Sequence, residues 1–234
     1  MDKKRIKVIR RQAKLDDVDG IVKLDNEVWP DFPASHEMIQ SRIEVFPQGN
    51  FVGEFKNEIV GYTSLQIVDY DLKNHPPFTW MEITDNGTWK NSHNINGNCV
   101  YGVALSVAPK VRSYGVGSQM LFCGWSLIIR YNRGVCLLGS RIPGYHLYKD
   151  RYTPEEYIKL RREDGKLLDS ELRLYERDGF SIVRVLPNYE TDPESCNYGV
   201  LVSQKNPFYN RGWHGFRNLM AWLIFNYGHK VLGV

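Results

Sequence analysis

The sequence lacks the long apolar run of a membrane span and the strong charge excess of a nucleic-acid-binding protein. The longest continuous apolar stretch near its end, Leu219 to Phe225, covers seven residues, whereas a spanning helix needs roughly 18. The net charge is only +3, which suits an anionic ligand but is too small to indicate binding to nucleic acid. The basic first residues have no apolar segment of the kind that a secretory signal contains. These absences favour a cytoplasmic protein and disfavour nucleic acid and membranes as partners.

Cysteine is also scarce, and its spacing matches none of its usual structural roles. The four cysteines include no CxxC pair, and they are Cys99, Cys123, Cys136 and Cys196. Such scattered thiols indicate neither a metal centre nor a disulfide framework, and they are typical of a reducing compartment. We therefore expect no metal cofactor.

The chain does contain enough apolar residues for a sizeable core, 42% of 234, arranged in alternating and helical periods. These periods predict the element order β-α-α-β-β followed by β-α-β-α-β-β. The clearest elements are a hairpin turning at Lys56–Asn57, a strand from Cys99 to Val107, and an apolar helix from Gly115 to about Asn132. This order predicts an α/β domain of the α+β type, with a mostly antiparallel sheet and one central strand–helix–strand crossover.

Three finer expectations follow from local patterns. Alternation along the central strand predicts one face with Cys99, Tyr101, Val103, Leu105 and Val107, and a second face with the small residues Gly102, Ala104 and Ser106. Residues 71–98 form a long polar connection, in which WMEIT, Trp80 to Thr84, is predicted as one arm of a short hairpin. TPEEYIKLRRE, with Thr153 as N-cap and Pro154 at the first helical position, predicts a helix over about 153–163.

The stretch VALSVAPKVRSYGVGSQML places a basic, glycine-punctuated turn at the start of the apolar helix. The first N–H groups of a helix have no partner within it, and the helix dipole adds partial positive charge there. Gly115 and Gly117 let a ligand approach the backbone and Arg112 adds a cation, so the turn predicts an anion site, usually for phosphate. It lacks the Gly-Lys-Ser/Thr ending of a P-loop and, at Met120, the third glycine of a dinucleotide fingerprint. An ordinary tight turn packing a helix on a strand is the alternative.

SVAPKVRSYGVGSQML resembles the acetyl-coenzyme A site of the GNAT acyltransferase superfamily, in which Arg/Gln-x-x-Gly-x-Gly/Ala follows a strand that ends near a proline. Arg112, Gly115 and Gly117 match that pattern in register. About 60 residues further on, LRLYERDGF resembles a helix end of the same superfamily, with Tyr175 four residues before a Gly-Phe pair. The resemblance covers roughly residues 5–205, and it implies the GNAT fold, acetyl-CoA as cosubstrate and acyl transfer.

A narrower likeness rests on RIPGYH, TPEEY and VLPNY. These segments are similar to the GNAT domains fused to carbon–nitrogen hydrolases and to the GNAT-like loading domains of polyketide synthases. The loading domains handle acyl-coenzyme A and an acyl carrier protein. In their decarboxylating members a histidine stands at the position of Tyr175 and an arginine near Glu190. The departures at these two positions favour ordinary acyl transfer over decarboxylation.

The resemblance also implies roles for individual residues at the coenzyme A site. Backbone groups of the turn bind the pyrophosphate, and those of the strand bind the pantetheine arm and the thioester. The residues concerned are Leu105, Ser106, Val107, Arg112, Ser113, Tyr114, Gly115, Val116, Gly117 and Ser118. Tyr175 is the implied general acid for the departing thiolate, because a tyrosine of pKa about 10 lies near the range of a leaving thiol. A core aromatic with a satisfied hydroxyl is the alternative.

No single residue stands out as the base that deprotonates the acceptor. Glu82 and Asp85, just before the central strand, and His146, in the PGYH loop, are the candidates, and deprotonation through water is an equal alternative. Trp29, at the end of the first helix, and Arg141, in the loop over 140–152, are the expected acceptor-side residues. Core packing is the alternative for Trp29.

We divide the chain into a GNAT domain, residues 1–212, and a C-terminal amphipathic helix, residues 213–234. The apolar stripe of that helix could cap the core, form the seam of a homodimer or lie on a membrane. The sequence favours transfer of an acyl group, acetyl in the first instance, from coenzyme A to an amine of a small molecule or peptide. Two other functions stay open: loading an acyl carrier protein thiol, and binding coenzyme A without catalysis.

Overall fold

Seven strands form one sheet in the computed structural model, which describes residues 5–231 and the side chains through residue 228. The strands are β1 (Ile9–Gln12), β2 (Asn50–Phe55), β3 (Glu58–Val68), β4 (Cys99–Val107), β5 (Val135–Arg141), β6 (Ser181–Leu186) and β7 (Gly199–Lys205). The α-helices of the same range are α1 (Val18–Val28), α2 (His36–Val45), α3 (Trp80–Ile83), α4 (Val116–Arg130), α5 (Pro154–Tyr157), α6 (Ser170–Arg177) and α7 (His214–Val231).

The strands follow the order β1-β2-β3-β4-β5-β7-β6 across the sheet. β4 and β5 pair in parallel, whereas every other neighbouring pair is antiparallel. α4 connects the two parallel strands, as a central strand–helix–strand crossover requires. The β2–β3 hairpin turns at Lys56 and Asn57, both of which have positive φ. The α+β architecture and its mostly antiparallel sheet are therefore confirmed.

α4 is apolar on nearly all sides because it packs on β2, β3 and β4 and is itself covered by α7. On α7, Ala221 and Ile224 are fully buried, and the Phe225 ring lies 5.9 Å from that of Phe51. The outer face of α7 leaves Leu219 and Trp222 exposed. Within the described residues, no helix is long and apolar enough to span the hydrocarbon core of a bilayer. The division of the chain at residue 213 stays a prediction.

The segment WMEIT is not a hairpin arm; it contains the short helix α3. Thr79 and Glu82 form a capping box, in which the Thr79 hydroxyl accepts from the Glu82 N–H at 3.2 Å and the Glu82 carboxylate accepts from the Thr79 N–H at 2.8 Å. Two helix donors are satisfied in this way, so the helical turn is favoured over an extended strand.

The helix predicted over about 153–163 ends much earlier, at Tyr157. The following chain forms a tight turn at Gly165, whose φ is +77°, and Arg161 pairs with Leu167 in an isolated β-bridge. The Asp-Gly pair of this turn gives the chain a left-handed residue that a helix does not contain. The helical period of the preceding residues therefore does not continue through it.

The predicted faces of β4 are wrong in its second half because a β-bulge interrupts the alternation. Ser64 and Leu65 are adjacent in β3, yet they pair with Ala104 and Gly102, so Val103 is an extra residue on β4. One inserted residue moves all later side chains to the opposite face of the sheet. Residues 104–107 therefore exchange the faces that simple alternation predicts.

Candidate active site

β4 and β5 separate from each other in the middle of the sheet. Their parallel pairing covers only Val100–Gly102 and Cys136–Leu138, although β4 continues to Val107 and β5 to Arg141. β5 stays paired with β7 over its whole length, so the edge between β4 and β5 is the one that opens. Backbone N–H and C=O groups along this edge have no strand partner there, which leaves them for other partners.

The opening continues into a cleft on the side of α4, which encloses about 480 Å³ including its mouth. The walls come from β3, β4, β5, α4 and the region of α6, and they include Leu105, Leu121, Leu138, Tyr175 and Phe180. A mostly apolar cleft with a few polar groups, placed where strands separate, is typical of a small-molecule or cofactor site.

Tyr175 is the polar residue of the cleft that carries a titratable hydroxyl. Its side chain is 8% exposed, and its ring meets that of Phe180 edge-on, with centroids 5.5 Å apart. Burial, helped by the Glu171 and Asp178 carboxylates, raises the pKa of this hydroxyl well above its ordinary value. Within the described residues, no hydrogen bond engages the hydroxyl. The residue predicted as general acid therefore keeps its proton at neutral pH and lines the cleft.

The predicted phosphate turn stands at the start of α4. A single 3₁₀ turn, Pro109–Val111, leads into it, and Ser113 and Gly115 have φ values of +68° and +79°. Gly115 is the N-cap of α4, so the N–H groups of residues 116–118 have no acceptor within the helix. A Cβ at Gly117 would meet no atom within 4 Å. The chain at Gly117 is therefore open to a ligand, as an anion site requires.

Charged side chains surround this turn. Arg112 is exposed, and its guanidinium donates to the Val107 carbonyl at 3.3 Å, at the end of β4. The Ser118 hydroxyl donates to the Asp178 carboxylate at 3.0 Å and accepts from Arg177 at 2.7 Å. These bonds tie the first turn of α4 to the end of α6, the helix that carries the cleft tyrosine.

The apolar residues of the turn hold it against the rest of the domain. The Tyr114 carbonyl accepts from the Ile6 N–H at 3.1 Å, and Val116 is 1% exposed within the main core. The whole Val116 residue is therefore covered, whereas Gly117 and Ser118 at the same helix start are half-buried.

A second cavity adjoins the opening from the side of α3 and the loop that joins β6 to β7. It encloses about 570 Å³ including its mouth, and its lining residues are Phe32, Thr79, Trp80, Met81, Asn188, Tyr189, Glu190, Thr191 and Asn197. The Trp80 indole N–H donates to the carbonyl of Val103, a residue of the first cleft, at 3.2 Å. The Tyr189 ring lies directly on Gly139, another residue of that cleft, where any Cβ would overlap it. Trp80 and Tyr189 therefore lie between the two cavities, where β4 and β5 separate.

Glu190 is the only carboxylate among the residues described as lining this second cavity. Burial raises the pKa of Glu190 to about 7, and the positive charge of the nearby Arg141 offsets part of this rise. The hydroxyl of its neighbour Tyr189 lies 2.6 Å from that of Tyr101 on β4. The resemblance to the loading domains marks this position, near which their decarboxylating members have an arginine. Nothing in the sequence selects Glu190 itself as an acid or a base, because an acid after a tyrosine in a strand connection is equally typical of a solvated loop. Its burial arises only in the folded chain.

The two predicted acceptor-side residues contact each other beside the opening. The Arg141 guanidinium lies 5.2 Å from the Trp29 ring centroid and forms a bidentate ion pair with Asp192 at 2.6 and 2.7 Å. The Trp29 indole donates to the Ser106 hydroxyl at 2.8 Å, which donates in turn to the buried Asp25 at 2.8 Å. This network fixes the end of α1 to β4 and β5. Neither residue is among those described as lining the two cavities, and their contact with an acceptor stays a prediction.

The predicted bases are likewise outside the described linings of both cavities. The Glu82 carboxylate is exposed, and bonds from the Thr79 N–H and hydroxyl lower its pKa. The His146 Nδ1 lies 2.8 Å from the carbonyl oxygen of Pro143 and 3.0 Å from that of Glu194, so the proton of a neutral ring belongs on Nδ1. A catalytic role for either residue stays a prediction.

Sequence comparison relates the chain to two bacterial proteins. It is 34% identical over 200 residues to the uncharacterized N-acetyltransferase YkwB of Bacillus subtilis (strain 168), covering 83% of this chain and 87% of that protein. It is 32% identical over 205 residues to the probable hydrolase YhcX of the same organism, covering 87% of this chain. The match spans only 39% of the length of YhcX. No family model matches the chain.

Solved structures share the same architecture. The loading GNATL domain of CurA from Lyngbya majuscula superposes with a TM-score of 0.70 at 26% identity, over 86% of this chain and 98% of that one. The GphF GNAT-like decarboxylase, in complex with isobutyryl-CoA, superposes with a TM-score of 0.68 at 20% identity, over 84% of this chain and 98% of that one. At the latter identity the likeness shows the fold alone.

Proposed function

The chain belongs to the GNAT superfamily of acyltransferases, and from this premise we propose that it transfers an acetyl group from acetyl-CoA to an amine of a small molecule or peptide. The opening between β4 and β5 carries the proposal. It brings an unpaired strand edge and a protonated Tyr175 to one cleft, and Leu121, in the second turn of α4, extends the lining toward the glycine-rich start of that helix. The name of the relative YkwB, an N-acetyltransferase, supports the choice of an acetyl group and an amine.

The cleft and the turn at the start of α4 offer two contacts for acyl-coenzyme A. The N–H groups of residues 116–118 would hold the pyrophosphate, with Arg112 as the nearby cation. The open edge over Leu105–Val107 would hold the pantetheine arm by backbone hydrogen bonds, in the manner of an added strand. The empty space at Gly117 is what close approach of a phosphate needs. The bound cosubstrate supplies the thioester, and the chain supplies orientation and proton transfer.

Tyr175 would give its proton to the thiolate that leaves during transfer. An ordinary tyrosine is already protonated at neutral pH, and burial raises the pKa of Tyr175 further. The acid role therefore rests on the place of the hydroxyl in the cleft and not on its pKa. Glu82 and His146 remain candidates for the base on the grounds of their residue type and their positions in the sequence alone.

A second candidate function is the loading of an acyl carrier protein, in which a phosphopantetheine thiol replaces the amine. The likeness to the CurA loading domain, at 26% identity, favours it. Parallel assays with simple amines and with a phosphopantetheinylated carrier protein separate the two functions. Binding of acetyl-CoA without turnover of either acceptor would indicate a non-catalytic coenzyme A-binding module.

A cytoplasmic location and a homodimer are further proposals for this chain. The homodimer would cover the outer face of α7, where Leu219 and Trp222 are exposed. Sedimentation of the wild-type protein and of a Trp222→Lys variant tests this seam, because a buried lysine would dissociate the dimer.

The test of the proposed function is Tyr175→Phe, which removes the hydroxyl and keeps the ring packed on Phe180. We expect kcat to fall by at least about tenfold, within reach of the roughly 10²–10⁴-fold that general acid help supplies. The affinity for acetyl-CoA should change little, the pattern of an interaction lost in the transition state. Steady-state kinetics and calorimetry measure the two quantities.

The matched control is Tyr145→Phe, in the same apolar cluster but outside the described lining of the cleft. It should keep the wild-type rate with some loss of stability, because its hydroxyl donates to the Tyr152 carbonyl at 3.1 Å. Wild-type turnover by Tyr175→Phe, with chemistry shown to be rate-limiting, would mean that Tyr175 only packs.

A further inference from the structure

We propose that Glu190 is the catalytic base and that the second cavity binds the acceptor as a primary ammonium ion on an aromatic or apolar stem. This inference rests on the proposed amine acetylation, and it names both the class of acceptor and the residue that takes the acceptor's proton. The geometry that points to it is a single carboxylate within an aromatic cavity that adjoins the opening between β4 and β5.

Aromatic side chains form the walls of this cavity. Phe32, from the connection between α1 and α2, meets Trp80 edge-on with ring centroids 5.6 Å apart. The Trp80 N–H donates to the Tyr189 carbonyl at 2.7 Å, which holds α3 against the β6–β7 loop. Phe32 is 39% exposed whereas Tyr189 is 2% exposed, so the cavity has an open rim and a closed floor. Aromatic faces attract cations and also accept an apolar stem.

Glu190 supplies the negative charge that an ammonium ion needs. Within the described residues, no hydrogen bond or ion pair holds its carboxylate. The backbone around it is nonetheless fixed, because the Tyr189 N–H donates to the Asn197 carbonyl at 2.9 Å and the Asp192 N–H donates to the Asn197 side chain at 2.9 Å. The Glu190 residue is half-buried. A carboxylate that is partly removed from water and has no partner within the protein is available to a ligand.

The charged and titratable groups facing Glu190 come from β4, β5 and its own loop. Arg141 attracts the ionised carboxylate, but its guanidinium is already paired with Asp192, whose charge repels Glu190. Tyr101 and Tyr189 both keep their protons, because burial raises their pKa values. Burial dominates and raises the pKa of Glu190 from 4.5 to about 7.

The proton transfer is balanced within the cavity. The ammonium N–H bond breaks, its electron pair stays on nitrogen, and an O–H bond forms on the Glu190 carboxylate. The neutral amine then has a lone pair on the cavity side of Trp80 and Tyr189, the two residues that border the opening. Glu190 later releases its proton to solvent through the open rim. No further reactant is needed.

The first test measures binding in the absence of acetyl-CoA, by calorimetry and by tryptophan fluorescence. The probe is 2-phenylethylamine, and neutral 2-phenylethanol is the matched ligand without the charge. We expect the amine to bind more tightly than the alcohol, with an affinity that rises between pH 6 and pH 8 as Glu190 ionises. Glu190→Gln should weaken amine binding by at least about tenfold and leave alcohol binding unchanged.

The control variant is Glu194→Gln, which removes one negative charge from the same loop. The Glu194 side chain is 60% exposed, so we expect wild-type affinity for the amine. Equal affinity of the wild-type protein for amine and alcohol, or unchanged amine affinity in Glu190→Gln, would overturn the assignment of the cavity. Failure of the wild-type protein to bind the amine at all would overturn the acceptor class.

The second test measures the proton transfer. For wild-type protein with 2-phenylethylamine, we expect kcat/KM to fall as the pH drops below about 7, and Glu190→Gln to lose this limb together with about 10²-fold of rate. Aniline is already neutral at pH 7, so Glu190→Gln should acetylate it with a much smaller loss. A structural role would lower both rates alike and would refute the base. A wild-type protein that binds acetyl-CoA but acetylates no amine would refute the proposed function, whereas the binding test would still decide whether Glu190 pairs with the ammonium.

Discussion

Gly115 and Gly117 stand two residues apart in the same turn for different physical reasons, and the difference gives a sharp test of the phosphate site. A Cβ at residue 117 would meet no atom within 4 Å. Gly115 instead has a φ of +79°, and a Cβ there would stand 3.3 Å from the Arg5 side chain. A side chain at residue 117 should therefore leave the fold intact and enter only the space proposed for the pyrophosphate.

We expect Gly117→Glu to preserve or raise thermal stability while weakening acetyl-CoA binding. Replacing a helical glycine gains roughly 0.5–1 kcal/mol of stability, and a carboxylate in the first turn of a helix gains about 0.3–1 kcal/mol more from the dipole. The same carboxylate would repel the pyrophosphate. Two like charges about 5 Å apart repel by about 0.8 kcal/mol in water and about 3.3 kcal/mol at an effective dielectric constant of 20. The affinity should fall about 4- to 200-fold for each phosphate charge.

Calorimetric titration with acetyl-CoA and thermal unfolding by circular dichroism measure the two effects. Gly117→Ala keeps the turn uncharged, so it should bind more tightly than Gly117→Glu. Gly115→Ala should lose about 1–2 kcal/mol of stability from the left-handed backbone. Wild-type affinity in a folded Gly117→Glu protein would refute the phosphate site.

Two further predictions concern stability. Deleting residues 213–234 uncovers the face of α4 on which Ala221 and Ile224 pack. The melting temperature of the truncated protein should therefore drop. An unchanged melting temperature with reduced binding to anionic vesicles would instead favour a membrane role for the tail. Arg11 donates to both Asp17 oxygens, at 2.7 and 2.8 Å, and thereby lowers the Asp17 pKa below its ordinary 3.8. The stability from this pair is present above pH 3.8 and is lost as the pH falls through the folded-state pKa, so Asp17→Asn should flatten the decline of the unfolding free energy in acid. Parallel denaturant-derived curves for the two proteins, from pH 7 to pH 2, would contradict this.

Sequence reasoning succeeded where the deciding signals are local. Lys56 and Asn57 fall between two apolar segments, and the hairpin turns there because both residues accept positive φ. The capping box at Thr79 and Glu82 was local too, and it could have identified α3. The capping pattern is present in the sequence, whereas the turn signals around WMEIT and the length of the connection favour a short hairpin.

The bulge at Val103 is a different kind of failure. Alternation along β4 carries no information about which residues of β3 it pairs with, and the extra residue is defined only by the pairing of Ser64 and Leu65. The position of Ser106 on the side of Asp25 follows from that insertion. A single strand pattern could not have predicted it.

The bulge lies between the two halves of the candidate site, and these halves differ in how well the sequence predicts them. The last β4–β5 pair is Gly102 with Leu138, immediately before Val103, whose carbonyl accepts from Trp80. The strand separation that opens the cosubstrate cleft thus coincides with the contact that closes one wall of the acceptor cavity. The cosubstrate side is visible in the sequence because its turn, residues 112–117, is continuous. The acceptor side brings together residues 32, 80 and 190, which lie far apart in the chain, so the environment that makes a base of Glu190 exists only once the sheet has formed.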